Sequence, residues 1–190
     1  MAVDHSKIPI TLPVPVDDGL TSHLLGSLVD KDLVLTSTKD EFIKLSALPG
    51  LTILFCFPRT GASGETPSQE WNNTPGARGC TAEASSYRDD YSTLKDLGVS
   101  AVFGLSTQDT AFQKETKERL KLPYDLLSDE KLEFVEALKM PIFEWEGKPL
   151  IKRCTIALRD GKIEHVWYPV FPSNENSTEV AKWLKTTKKD

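Results

Sequence analysis

The sequence predicts an α/β fold, a central mixed β-sheet flanked by helices, with an irregular N-terminal arm and a small hairpin ahead of it. Three observations predict this. "LTILFCF" from Leu51 and "AVFGLST" from Ala101 are unbroken apolar runs, as suits central strands covered on both faces. Between them, "TAEASSYRDDYSTLKDLG" sets Ala84, Tyr87, Tyr91, Leu94 and Leu97 on one helical face and stops at Gly98. Further on, "LIKRCTIALRDGKIEHVWYPV" reads as a strand, an "RDGK" turn and a second strand.

A chain of 190 residues is long enough for one substantial core and short for two. Residues 1–30 read as the arm and residues 31–190 as a single domain. "DLVLTSTKDEFIKLSAL" alternates around a "TKDE" turn signal, which predicts a hairpin that Pro49 and Gly50 bring to an end. The first central strand is followed by the insertion "RTGASGETPSQEWNNTPGARG", whose Gly, Pro, Ser and Asn content excludes regular structure for most of its length. Loops at the carboxyl end of such strands are where α/β proteins place their sites. Two further helices are expected, one over about residues 110–120 and one over about residues 130–139. "NSTEVAKWLKTT" predicts a terminal helix capped by Asn176 or Ser177. Right-handed crossovers make a thioredoxin-like arrangement the economical way to connect these elements.

A net charge of -5, a pI near 5.3 and the lack of any basic tract argue against affinity for nucleic acid or an anionic membrane. The longest apolar run is far shorter than the roughly 20 residues that span a bilayer. "MAVDHSKIPITLP" has neither the basic end nor the apolar segment of a secretory signal, so a cytoplasmic, reducing location is expected. The 3 cysteines are odd in number and widely spaced, with no CxxC, which fits neither a disulfide framework nor a zinc site.

Cys56 and Cys154 fall inside strands and read as inert, buried thiols. Cys80 is placed differently, at the first turn or cap of a helix over residues 81–97. Unpaired backbone N–H groups and the positive end of the macrodipole favour an anion there, so a thiolate is expected; the rival reading is that Cys80 merely caps the helix or packs beneath the loop. Alternation along the strand around Arg153 puts Ile151, Arg153, Thr155 and Ala157 on one face, with Leu150, Lys152, Cys154 and Ile156 on the other. A guanidinium inside a strand needs an anionic partner. A salt bridge to Glu83 would satisfy it, and so would Cys80, with Glu83 orienting the guanidinium; the two arrangements are compatible.

"FCFPRT", "NTPGARGCTAEASSYRD", "VFGLSTQDT", "LPYDLLSD" and "RCTIALRDGKIEHVWYPVF" together resemble the peroxiredoxins, most closely the Q-type or bacterioferritin comigratory branch. The resemblance runs from about Asp32 to Leu184. It implies a thioredoxin-like peroxiredoxin domain and a thiol-dependent peroxidase without metal or organic cofactor. The peroxidatic cysteine of the family falls on Cys80 and its strand arginine on Arg153. The family's compact PxxxTxxC segment is altered here. "ARG" is inserted after "TPG", the proline falls on Pro58 or Pro75, and the threonine hydroxyl falls on Thr74, with Thr81 or Thr60 as alternatives. Many Q-type members carry a resolving cysteine five residues after the peroxidatic one, where this chain has Ser85. A one-cysteine enzyme is therefore expected, acting on hydrogen peroxide or alkyl hydroperoxides through a sulfenic acid on Cys80. Its reductant would be an external thiol, glutathione or a thioredoxin-type protein, and a homodimer meeting near the active-site loops is expected.

Two rivals come from other classes. A redox sensor or binding protein would keep the fold and relay oxidation of Cys80 to a partner. A Cys/His hydrolase would use His165, which alternation places on an exposed side of a hairpin strand. Trp71, Trp145 and Trp167 are candidates to line the pocket or a dimer contact, Trp71 foremost.

Overall fold

In a computed structural model of the chain, residues 11–187 are described. The first ten residues of the expected arm, His5 among them, lie outside the described residues. A seven-stranded sheet forms the centre, in the order β2-β1-β5-β4-β3-β8-β9. The expected hairpin supplies β1 (Leu35–Ser37) and β2 (Phe42–Ile43). The three middle strands β3 (Leu51–Cys56), β4 (Val99–Ser106) and β5 (Asp125–Ser128) run parallel, and β8 (Cys154–Arg159) and β9 (Lys162–Trp167) continue the sheet antiparallel beyond β3. This is the central mixed sheet flanked by helices that the sequence predicts.

The apolar runs place side chains on both faces, because successive residues of a strand point opposite ways. Ile53 and Phe55 join Ala84, Tyr87, Leu94, Val180 and Leu184 on one face. Leu54 and Cys56 join Leu105, Leu127, Phe134, Cys154 and Ile156 on the other. The first face is covered by α2 (Cys80–Asp89), α3 (Tyr91–Asp96) and α6 (Asn176–Thr187), the second by α5 (Glu133–Leu138) and by Leu24 and Val29 of the N-terminal segment. At Gly104 the packing leaves no room for a side chain, since a Cβ would lie 2.7 Å from both Phe55 and Leu126. A further helix, α4 (Thr110–Leu120), begins on the Asp109 cap and occupies the expected span.

Several expectations are corrected. The helix expected over 81–97 is two helices, because Asp90 leaves helical geometry where its carboxylate accepts hydrogen bonds from Ser177 and Thr178. The helix expected over 130–139 shortens to α5, whose opening N–H groups at Phe134 and Val135 are taken by the Asp129 carboxylate. Asn176 does not cap α6. It is the first helical residue, entered from a 3-10 turn, and its side-chain oxygen accepts from Tyr87 and Thr155. The segment from Leu150 is not one strand. β6 (Ile142–Trp145) and β7 (Lys148–Ile151) form a separate two-stranded sheet, β8 starts only at Cys154, and Lys152 N–H turns aside to the Pro141 carbonyl. Arg153 therefore sits between strands, and the break shifts Ile151 into the Cys154 cluster instead of the Arg153 face. The insertion holds one short helix, α1 (Gln69–Asn73), capped by Ser68.

Candidate active site

Gly79 closes the insertion with φ 105°, a left-handed conformation that costs glycine nothing, and so delivers Cys80 as the first residue of α2. No side chain caps this helix end. Its first-turn N–H groups and the positive end of its macrodipole therefore point toward whatever Cys80 meets. Cys80 is 3% exposed, and its sulfur faces the Ala77 carbonyl at 3.5 Å.

Arg153 reaches this sulfur from the far side of the sheet sequence. Its Nη2 donates to Cys80 Sγ at 3.0 Å and to the carbonyls of Gly76, Ala77 and Arg78 at 3.2, 3.3 and 3.2 Å. One guanidinium thus clamps the three residues that enter α2 as well as the sulfur at its start. This accommodates the "ARG" insertion: Ala77 turns fully inward and the chain is held by its carbonyls. The other terminal nitrogen, Nη1, donates to Glu83 Oε2. Both expected partners of Arg153 are therefore engaged at once.

The electrostatics follow from burial. Arg153 is 4% exposed and Glu83 0%. Burial opposes the charge on Arg153, but Cys80 and Glu83 outweigh it and move the guanidinium's pKa above its ordinary value. For Glu83 burial wins: the carboxyl is pushed up to about 7 although the charge and hydrogen bond of Arg153 pull it down. Its Oε1 finds no partner among the described residues, which adds to the cost of ionising it.

The structure brings Cys80, Arg153 and Glu83 together and leaves Thr74 out. The Thr74 hydroxyl donates to the Glu70 carbonyl at 3.0 Å, and the residue lines a neighbouring cavity with Val16, Tyr168 and the other side of Arg153, not the cleft that holds Cys80. Thr60 is also committed elsewhere, to Thr116 at 3.1 Å and to Gln108. Of the three threonines, Thr81 alone lines the cleft that contains Cys80. In "TPGARGC" the inserted "ARG" separates Thr74 from Cys80, and the Thr74 hydroxyl is taken by the Glu70 carbonyl.

Cys56 and Cys154 face each other in register across β3 and β8, on the opposite side of the sheet from Cys80. Burial pushes the Cys56 thiol well up, and the hydrogen bond and charge of Cys154 add to it. Ser85 is buried within α2. His165, expected on an exposed side, is instead half-buried between Trp167 and Trp183, with centroids 4.3 and 5.1 Å away, and burial lowers its pKa. Among the described residues no ring contact or hydrogen bond joins it to a cysteine.

Trp71 lines the cleft, as expected of the foremost tryptophan, and is wedged against Trp145 and Phe143 of β6 at 4.8 and 6.2 Å. Three arginines that the sequence reading did not single out also line it: Arg59, Arg78 and Arg119. Arginine is scarce in this chain, and two of the three, Arg59 and Arg78, stand at the two ends of the irregular insertion, which is the signal the sequence offers.

Comparison with known proteins shows the family and the fold. The family model described as Redoxin matches residues 24–182. Peroxiredoxin Q, chloroplastic, of Arabidopsis thaliana is 32% identical over 108 residues, which are 56% of this chain and 49% of that protein. Peroxiredoxin Bcp of Escherichia coli (strain K12) is 32% identical over 115 residues, 56% of this chain and 70% of that protein. The chain spans about half the length of the plant relatives it matches. Peroxidoxin BcpB from Mycobacterium tuberculosis superposes with a TM-score of 0.67 at 24% identity, covering 85% of this chain and 96% of that one. Xanthomonas campestris peroxiredoxin Q gives 0.64 at 18% identity, over 92% and 97%. The structural likeness shows a shared thioredoxin-like fold.

Proposed function

Since the chain belongs to the redoxin family, with peroxiredoxin Q and Bcp proteins as its relatives, we propose that it is a thiol-dependent peroxidase that reduces hydrogen peroxide and alkyl hydroperoxides. The Cys80 thiolate attacks the outer peroxide oxygen, forming the S–O bond as the O–O bond breaks, and leaves a sulfenic acid on Cys80. The departing oxygen carries the negative charge away and takes up a proton to become water or an alcohol. Arg153 counters the charge first on sulfur and then on that oxygen, and the α2 amides orient the peroxide. Glu83 is a positioning residue, since it touches the guanidinium and not the sulfur. Thr81 takes the hydroxyl role first assigned to Thr74.

The carrying observation is the 3.0 Å contact between Arg153 Nη2 and Cys80 Sγ at an uncapped helix start. The sulfenic acid is then reduced by an external thiol, glutathione or a thioredoxin-type protein, because Ser85 replaces the helix cysteine and Cys56 and Cys154 lie across the sheet. A reducing compartment such as the cytoplasm suits that chemistry, and a homodimer, checked by sedimentation, completes the proposal.

The experiment is peroxide consumption with excess dithiol. Cys80→Ser abolishes it, while Cys56→Ser and Cys154→Ser retain most of the turnover. Should Cys154→Ser stop turnover yet leave a single oxidation of Cys80 intact, the one-cysteine scheme is wrong. The displaced Thr74 hydroxyl favours a second reading, a sensor that relays Cys80 oxidation to a partner. A second-order rate with peroxide no faster than that of a free thiolate would select the sensor.

A further inference from the structure

Four of the six arginines of the chain gather around Cys80. Arg153 holds the sulfur from inside, and Arg59, Arg78 and Arg119 line the cleft outside it, with Glu65 the one acidic residue and no lysine among the described residues of the lining. In a chain with net charge -5 and 23 basic residues, most of them lysine, such a concentration of guanidinium groups runs against the average. Arg59 meets Glu65 and lies over the Trp71 ring at 5.4 Å. Arg119 spends Nε on Glu115 at 2.7 Å and Nη2 on the Gly61 carbonyl at 2.9 Å. Arg78 has no side-chain partner among the described residues, and it stands two positions before Cys80. Hydrogen peroxide needs none of the three.

Guanidinium forks match carboxylates in a way that ammonium groups do not. The cleft is small, about 60 Å³, and Cys80 in its lining is 3% exposed. A slender molecule reaches a residue so recessed more readily than a folded protein does. Building on the peroxidase reading above, we propose that the reductant is a small thiol bearing carboxylates, steered and seated by Arg78 together with Arg59 and Arg119. The thiol sulfur attacks the Cys80 sulfenic acid, the S–O bond breaks, an S–S bond forms, and the hydroxyl leaves as water with the thiol's proton. A second molecule of the thiol then displaces the first as a small disulfide and returns Cys80 to the thiol.

The test uses the full chain, oxidised with one equivalent of hydrogen peroxide and mixed with thiols of different charge. Mixed-disulfide formation is followed by quenched-flow mass spectrometry, per unit of thiolate present. Glutathione and 3-mercaptopropionate should react at least ~10-fold faster than cysteamine, with 2-mercaptoethanol between them, and salt should close the gap. Arg78→Glu should slow the anionic thiols by about an order of magnitude and favour cysteamine, and Arg78→Lys should recover part of the difference. Equal rates across the series, or a charge preference seen only in the oxidation step with a carboxylate-bearing peroxide, would overturn the inference while leaving the peroxidase reading in place. If Cys80 gains no oxygen from hydrogen peroxide at all, the peroxidase reading falls and the inference falls with it.

Discussion

On one face of the central sheet Cys80 lies 3.0 Å from a guanidinium at the start of a helix; on the other, Cys56 and Cys154 stand opposite each other among Leu54, Leu105 and Ile156. All three cysteines are buried, at 3%, 0% and 0% exposure. Burial by itself holds a thiol in its neutral form, which is the state imposed on Cys56. What separates Cys80 is a permanent cation in contact and a set of unpaired amides. The neighbours of a cysteine, and not its exposure, decide which chemistry it is given.

The contrast breaks hardest at Arg153. Arg153→Met leaves the Glu83 carboxyl buried without a partner and frees three carbonyls and the sulfur. Oxidation of Cys80 by peroxide should fall by about 10²–10³ in stopped-flow measurements, and stability in denaturant should fall by roughly 3–5 kcal/mol. Adding Glu83→Gln to that variant should return stability without returning the rate, since the guanidinium, and not the Glu83 carboxylate, touches the sulfur.

Glu83→Gln alone sharpens the comparison through pH. The folded carboxyl titrates at about 7, above the ordinary 4.5, so the folded protein binds this proton more tightly than the unfolded chain. Its contribution is full below pH 4.5 and is lost as pH rises through about 7. Denaturation midpoints measured from pH 5 to pH 8 should decline in the parent protein, and the decline should flatten in the variant.

On the other face the effects are smaller. Cys56→Val should cost less than about 1.5 kcal/mol in chemical denaturation, as an apolar replacement of similar size, and peroxide consumption should continue. The smallest effect is expected at the surface, at Asp18, which accepts hydrogen bonds from Lys152 and Tyr168 at 2.6 and 2.8 Å. The Lys152 hydrogen bond holds its carboxyl down at about 2. The stabilisation is therefore present above the usual carboxylate range and lost as pH falls through about 2. Asp18→Asn should barely move a thermal melt at neutral pH.

Much of this contrast was legible in the sequence. Apolar runs marked β3 and β4, and "TAEASSYRDD" after a glycine-rich loop marked the helix that begins at Cys80. Alternation from Arg153 onward separated the arginine from Cys154, because that rule acts residue by residue within a strand. It failed one step earlier, at Ile151, where Lys152 leaves the sheet for the Pro141 carbonyl, a tertiary contact that no periodicity records. β5, β6 and β7 are four residues each, too short to show a period, and one carries Pro149. The family spacing points to Thr74, but across an insertion that spacing does not say which hydroxyl enters the cleft, where Thr81 stands instead; the cleft arginines are not legible because Arg59, Arg78 and Arg119 meet only through the fold.

The most direct test of the contrast is site-resolved mass spectrometry of the reduced full chain after one equivalent of hydrogen peroxide. A single added oxygen on Cys80, with Cys56 and Cys154 left as thiols, is the expected result. An unmodified Cys80 beside an oxidised Cys56 or Cys154, or a disulfide joining those two, would contradict it.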